Sequence, residues 1–413
     1  IAVDQEQDNL RGALEWAVAN DDAETALTIA GGVCWPYWLA GTAVEAKRWL
    51  DDAFRCKGEV SERARALALT GRGLIEFQLG KPENVDADLS AALAIFRDLN
   101  DLGAISLTHS FYAEVAAARG DIDEGRRRRR DLLDHYVGLP DSTFVIAARA
   151  YSRAKLAGLD SDLELSERYY REAAAAFSQI DRPMMLAMCR GTIADFDERC
   201  GNYRAAIDNL DEAVATNDAL GLRGFNGSLL ARLGWALLQD GDVARAEVAY
   251  DRALDLARRL SNTPVIFIAL AGRAVLHRLD GRNASAAAAA TEALELYLAG
   301  EPRRLANRVD PRADLLAGAA VCCTELGILG LIALNPGNAG NAGNADNAEH
   351  AVRLLGHAER LRSEAGVAVP KFQCDGLERA LESASAELSP ETVRAALDFG
   401  QQGRLGHSVT LTP

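Results

Sequence analysis

Seven cysteines and six histidines are the side chains in this 413-residue chain most able to hold a metal or attack an electrophile. Cys34, Cys56, Cys189, Cys200, Cys322, Cys323 and Cys374 include no CxxC pair, the spacing that a zinc site or a redox dithiol uses, and their number is odd. They read as reduced thiols, mostly buried. Cys322 and Cys323 are neighbours that point in different directions on a helix, so at least one belongs in a core. His109, His135, His277, His350, His357 and His407 are dispersed. Only His350 and His357, seven apart, could share a helical face, and without a third ligand they read as surface residues. Gly221, Gly224 and Gly227 form a spaced trio with no strand before it, which suits a turn and not a dinucleotide loop. HExxH, GxSxG, EF-hand and GxxxxGK[ST] patterns are absent, so the usual cradles for metal-water, acyl and phosphate chemistry are missing. The expectation is a chain with no catalytic residues, no metal and no cofactor of its own.

Charge narrows the partners. The net charge is −15 with a pI near 5.0, so the bulk field repels nucleic-acid phosphates and only a local basic patch could bind them. The one sharp basic feature is Arg126 to Arg130, five consecutive arginines. It reads as a solvated outer helix face with Arg129 snorkelling across the stack, against the alternative of a dock for an acidic partner or phosphate. No stretch approaches the ~20 uninterrupted apolar residues of a membrane span, and no signal segment opens the chain, so a cytoplasmic location is expected. Ile1 opens the chain inside a helical pattern, which reads as a piece of something larger.

Apolar residues make up 49% of the chain but aromatics only 6%, a balance that favours close helix packing over sheet. The positioning elements follow from an internal period. Turn glycines fall at Gly41, Gly80, Gly120, Gly201, Gly241 and Gly281, with gaps of 39, 40, 81, 40 and 40. The double gap hides a unit whose turn is Gly158 to Asp162. A second series, Ala53, Ala92, Leu132, Ala173, Ala213, Ala253 and Ala293, repeats at the same period. The unit Leu233-Gly234-Trp235-Ala236-Leu237-Leu238-Gln239-Asp240-Gly241-Asp242, followed by Ala246, Tyr250 and Ala253, resembles the tetratricopeptide (TPR) pattern. A glycine or alanine midway along each first helix (Gly73, Ala113, Ala154, Ala194, Gly234, Ala274) lets the second helix approach, where a small residue (Ala46, Ala206, Ala246, Ala286) receives it.

The fold class expected is therefore all-α: a TPR-like α-solenoid of about eight helical hairpins with a ~40-residue period, where ~34 is usual, wound as a right-handed superhelix with a helical C-terminal cap. Residues 1–21 form an N-terminal linking helix and 22–300 seven regular hairpins. Residues 301–367 form an eighth hairpin with a long Gly/Asn-rich loop at 335–346, and 368–413 form capping helices and a tail.

Two segments resemble a known family. Asp8-Asn9-Leu10-Arg11-Gly12-Ala13-Leu14-Glu15-Trp16-Ala17 with Trp35-Pro36-Tyr37-Trp38 and Arg48-Trp49-Leu50, and Ala351-Val352-Arg353-Leu354-Leu355-Gly356-His357-Ala358-Glu359-Arg360-Leu361-Arg362, are similar to the ends of the helical region in actinobacterial AfsR/SARP-like and LuxR-like transcriptional regulators. In that family a DNA-binding module and an NB-ARC (STAND) ATPase precede the helical array. The resemblance implies a regulatory sensor of a cytoplasmic bacterial transcriptional regulator, with ATP or ADP held only by the upstream ATPase module. Its partners would be a protein, a peptide or a small effector, plus those upstream modules, and neither nucleic acid nor membrane directly.

In such an array the first helices line the concave face, so residues at one phase point into one groove. The groove set is Glu114, Tyr151, Lys155, Met188, Asp195, Glu198, Arg199, Trp235, Gln239 and Arg278, with Trp35, Trp38 and Phe77 either joining it or packing between hairpins. Aromatic and arginine groups there would anchor a peptide or helix. The alternatives are a free-standing receptor or scaffold for a signalling peptide, and an enzyme built on an α-solenoid, which would need a convergent polar cluster in the groove.

Overall fold

A computed structural model describes residues 3–40, 43–79, 84–137, 139–222, 226–260, 262–299, 311–332 and 342–402. Within them lie nineteen α-helices and no strand. After α1 (Val3–Ala19) they pair in sequence: α2 (Ala23–Ala40) with α3 (Ala43–Ala53), α4 (Glu62–Gln78) with α5 (Val85–Asp98), α6 (Leu102–Ala118) with α7 (Ile122–Val137), and α8 (Thr143–Leu159) with α9 (Leu163–Phe177). Next come α10 (Pro183–Arg199) with α11 (Tyr203–Ala219), α12 (Asn226–Asp240) with α13 (Val243–Arg259), α14 (Thr263–Leu279) with α15 (Asn283–Leu298), and α16 (Pro311–Ile332) with α17 (Ala342–Ala365). Helices α18 (Lys371–Glu387) and α19 (Pro390–Gln402) close the series. The chain is a TPR-like α-solenoid array, and none of the described helices is long and apolar enough to cross a membrane.

Gly120, Gly201, Gly241 and Gly281 all adopt the left-handed conformation, with φ between 71° and 88°. That conformation costs glycine little and lets each first helix stop. In the fourth hairpin α8 runs on to Leu159, through Gly158, and Ser161 takes the left-handed position at φ 61°. The missing repeat signal is thus a serine standing where the other hairpins carry glycine. Side chains cap the helices that follow: Asp162 accepts from the Leu165 N–H and Asp242 from the Arg245 N–H, while Asp101, Ser142 and Asn262 cap α6, α8 and α14. Cys322 and Cys323 are both buried. The turns at Gly41 and Gly80, Gly224, His407 and residues 301–310 lie outside the described residues, as do 333–341. Helix α17 begins at Ala342, inside the Gly/Asn-rich loop expected at 335–346.

Both small-residue series are buried throughout, from Ala53 to Ala293 on the second helices and from Gly73 to Ala274 on the first. Packing divides the chain into two compact units, Ile1–Phe196 with Asp211–Asn226, and Asp197–Leu210 with Gly227–Pro413. In the first unit, α2 packs on α4 and α4 on α6, so first helices of successive hairpins form one layer. Gly31 permits the closest approach: a Cβ there would stand 2.6 Å from the backbone of Leu67 and Ala68.

In the second unit α14 packs on α16, and the Tyr250 ring sits between two glycines of flanking first helices. A Cβ on Gly234 would lie 2.8 Å from that ring and one on Gly272 2.1 Å. Because Tyr250 is wholly buried, the ring has nowhere to retreat. Gly272→Ala is expected to cost about 1–3 kcal/mol by overpacking, read as a lowered unfolding midpoint in urea; an unchanged midpoint would contradict this packing. At the C-terminal end α19 packs on α17, and α18 packs on both α16 and α17.

Candidate partner-binding site

Counting six residues back from the left-handed turn residues Gly120, Ser161, Gly201 and Gly241 gives Glu114, Lys155, Asp195 and Trp235, and from Gly281 it gives the buried Val275. Within the first unit, Glu114 on α6 and Lys155 on α8 hold these matching positions, and their side chains meet: Lys155 Nζ lies 3.0 Å from Glu114 Oε1. Arg129, on the second helix α7, reaches the same oxygen at 2.7 Å with Nη2 and donates to Ser110 Oγ with Nη1 at 3.1 Å. Arg129 is the buried member, with 1% of its side chain exposed, while Glu114 keeps 48% open to solvent. The three groups carry two positive charges and one negative, an excess of +1 on a chain that is otherwise acidic.

Aromatic rings wall this cluster. The Lys155 ammonium stands 5.9 Å from the Tyr151 ring centroid. Tyr151 meets Tyr170 of α9 edge-on at 5.7 Å, and Tyr170 leans on Phe196 at 6.3 Å. Desolvation pushes the Glu114 carboxyl upward, but the Lys155 and Arg129 cations outweigh it and hold the group below its ordinary value. Desolvation works against the Lys155 ammonium, yet the Glu114 carboxylate dominates and raises it above the usual lysine value. Burial drives Tyr151 and Tyr170 up, and pushes the Cys189 thiol up to about 12. Both charged partners therefore stay ionised at neutral pH, and the neighbouring thiol stays protonated.

Two other predicted groove residues fall in this unit. Met188 on α10 is half-buried, in the same stretch as Met184 and Met185, which are the other two methionines of the chain. Asp195 is buried. Phe77 is half-buried, with the Arg119 guanidinium 6.0 Å from its ring, whereas the side chains of Trp35 and Trp38 lie outside the described residues.

The remaining five residues of the set lie in the second unit. Glu198 accepts from Arg232 Nη2 at 2.9 Å, both nearly buried, and Arg199 is exposed. Gln239 is half-buried. Trp235 stands edge-on to Phe372 of α18 at 5.2 Å. Arg278 Nε lies 2.5 Å from Glu325 Oε2, and its Nη2 donates to the Phe372 carbonyl at 3.2 Å. Trp235 and Arg278 are thus met by partners from within the chain.

Sequence reasoning did not place Arg129, Tyr170, Glu325, Phe372 or Gln373 in these sites. Glu325 had a usable signal, a carboxylate in the apolar run from Ala319 to Leu331, where an ionised group must have a partner. The arginine run resolves into pairs. Arg126 engages Asp123 and Asp160, and Arg127 and Arg128 both bond Glu124, while Arg128 also lies 3.8 Å from the Tyr112 ring centroid. Among the described residues no group of three or more His, Cys, Asp or Glu could hold a metal ion.

No family model matches the chain, and no curated protein sequence does. Several solved structures are similar to it. A Rap protein complexed with competence and sporulation factor shares 13% identity over 91% of this chain and 99% of its own, with a TM-score of 0.47. Aspartyl phosphate phosphatase F from Bacillus subtilis shares 12% over 91% of this chain and 94% of its own, with a TM-score of 0.44. The apo form of RapI shares 11% over 87% of this chain and 97% of its own, at a TM-score of 0.44.

Proposed function

We propose that this chain is a non-catalytic regulatory receptor that takes a partner segment on the first-helix face of its first unit, and that it serves as the sensor region of a bacterial transcriptional regulator. The observation that supports this reading is the Glu114–Lys155–Arg129 cluster: Glu114 and Lys155 at matching positions of successive hairpins, joined by Arg129 from a second helix and walled by Tyr151 and Tyr170, with Glu114 half open. Two cations against one carboxylate suit a segment that brings an acidic side chain, and the neighbouring tyrosines suit an apolar residue beside it. The absence of catalysis belongs to the proposal for a chemical reason. A general acid or base works best with a value near neutral pH, and the neighbouring cations and carboxylate push Lys155 and Glu114 away from it in opposite directions.

Lys155→Met keeps the stem and deletes the charge. It is expected to lower recovery of the partner from an extract of the cell of origin at least tenfold, about 1.4 kcal/mol, and wild-type binding should weaken as salt rises. Full recovery by the variant, with salt without effect, would remove this reading. The regulator assignment has its own test: the gene upstream of Ile1 should encode an ATPase module and a DNA-binding module.

A further inference from the structure

The first turn of α18 meets the second unit much as a bound helix meets a groove. Phe372 sets its ring against Trp235 of α12, and its carbonyl accepts from Arg278 of α14. Gln373 reaches α16, donating through Nε2 to Glu325 Oε1 at 2.7 Å and to the Val321 carbonyl at 3.3 Å. Gly376 completes the fit: a Cβ there would lie 3.2 Å from Arg278 Nη1 and 3.3 Å from Ile328. An aromatic anchor, an amide and a small residue thus read three successive first helices.

This docking carries a built-in penalty. Gln373 is fully buried, and because its amide N–H groups face two acceptors, its Oε1 is left without a donor. Turning the amide over would set oxygen against the Glu325 carboxylate and the Val321 carbonyl, which is worse. The covered Arg278–Glu325 pair, 8% and 0% exposed, gives up its water in the docked state. Release of α18 would restore water to all of these groups. Further along, Ala380 and Ala384 of α18 are buried in one apolar core with α17 and α19, so release of the docked first turn has to be read helix by helix. Gly366, at φ 67°, begins the turn before α18, and α19 is fastened separately to α17 where Gly356 and Gly400 cross.

We infer that the face of the second unit made by α12, α14 and α16 is a helix-binding surface whose resident occupant is α18. The partner it fits is a helix with an aromatic–amide–x–x–small sequence in its first turn, and it binds by displacing α18. This site is separate from the Glu114–Lys155 cluster and does not depend on that cluster's function.

The test uses the full chain and a fluorescent synthetic peptide of residues 369–388, followed by anisotropy. Phe372→Asp, which unseats the resident helix, is expected to bind the peptide at least tenfold more tightly than the wild type, and adding Trp235→Ala to it should undo that gain. Equal binding by wild type and Phe372→Asp, or no binding by a Phe372→Asp chain that keeps wild-type circular dichroism, overturns the inference. A measurement on the wild type covers the case in which Phe372→Asp unfolds: amides of α18 should exchange at least tenfold faster than those of α17 and α19. Equal protection of the three helices overturns it as well.

Discussion

Replacing Gly400 by leucine is expected to cost about 3 kcal/mol and to unseat α19, a large effect from a residue that has no side chain. Backbone stands on both sides of the crossing. A Cβ on Gly400 would lie 2.2 Å from the Arg353 carbonyl oxygen and 2.8 Å from the His357 nitrogen, and one on Gly356 2.3 Å from the Leu397 carbonyl oxygen. Side chains can rotate away from an intruding carbon, but a helix backbone moves only as a whole. Separation of α17 and α19 would also strip cover from Val393 and Leu397, which are partly buried against the same core. Phe399 supplies the contrast. It is exposed, with the Arg353 guanidinium 4.7 Å from its ring, so Phe399→Ala removes far more atoms yet should cost under about 1 kcal/mol. Urea unfolding of the two variants, with amide exchange of α19, decides the matter. A Gly400→Leu midpoint equal to wild type would refute the crossing.

Glu114→Ala should destabilise the first unit by about 2 kcal/mol. Removing the carboxylate leaves the buried Arg129 facing Lys155 with no anion between them. Loss of one partner from a fully buried pair costs ~3–5 kcal/mol, and the partial exposure of Glu114 lowers that. Lys155→Met should change stability by less than about 1 kcal/mol, because Glu114 keeps Arg129 and the methionine stem keeps its packing on Tyr151. The two substitutions therefore separate folding from binding at one cluster.

Acid supplies a second readout of the same residue. The Glu114 value is lowered in the folded chain, so its contribution is fully present above the unfolded carboxyl value of ~4.3 and is lost as pH falls through the folded value. The stability difference between wild type and Glu114→Gln should hold constant above about pH 5 and shrink below about pH 4. His109 adds a separate acid limb. Burial first, then the nearby Arg97 cation, lowers it to about 3, and its Nε2 lies 3.0 Å from Arg97 Nη2. The unfolded chain gains that proton first, so stability declines below the ordinary histidine value of 6.5. Both proteins share this limb, and it cancels from their difference. A difference that grows toward acid pH would be inconsistent with the assigned cluster.

The period of about forty residues was legible in sequence because each hairpin repeats one packing problem, and glycine and alanine are the few residues that solve it. The same period sets Glu114 and Lys155, 41 residues apart, at equivalent positions of successive hairpins, and their side chains meet. Three things escaped for separate physical reasons. Ser161 adopts a conformation that its side chain does not advertise. Arg129 sits in a run of five like residues, and nothing in the run singles out the one that turns inward. The docking of α18 joins residues 48 and 94 positions apart with no repeat to carry the signal. Periodicity reports what neighbouring hairpins do to each other and is silent about a terminal helix folded back on them.

The seat of Tyr250 between Gly234 and Gly272 has a consequence for how this sequence can drift. Three positions on three helices share one ring-sized space, so a gain of volume at either glycine is tolerable only after the ring has shrunk, and a smaller ring leaves a void until a glycine grows. Each single step is unfavourable while the paired step is not. Across descendants of this chain the three positions should change together or stay fixed, and that pattern of inheritance would itself record the contact.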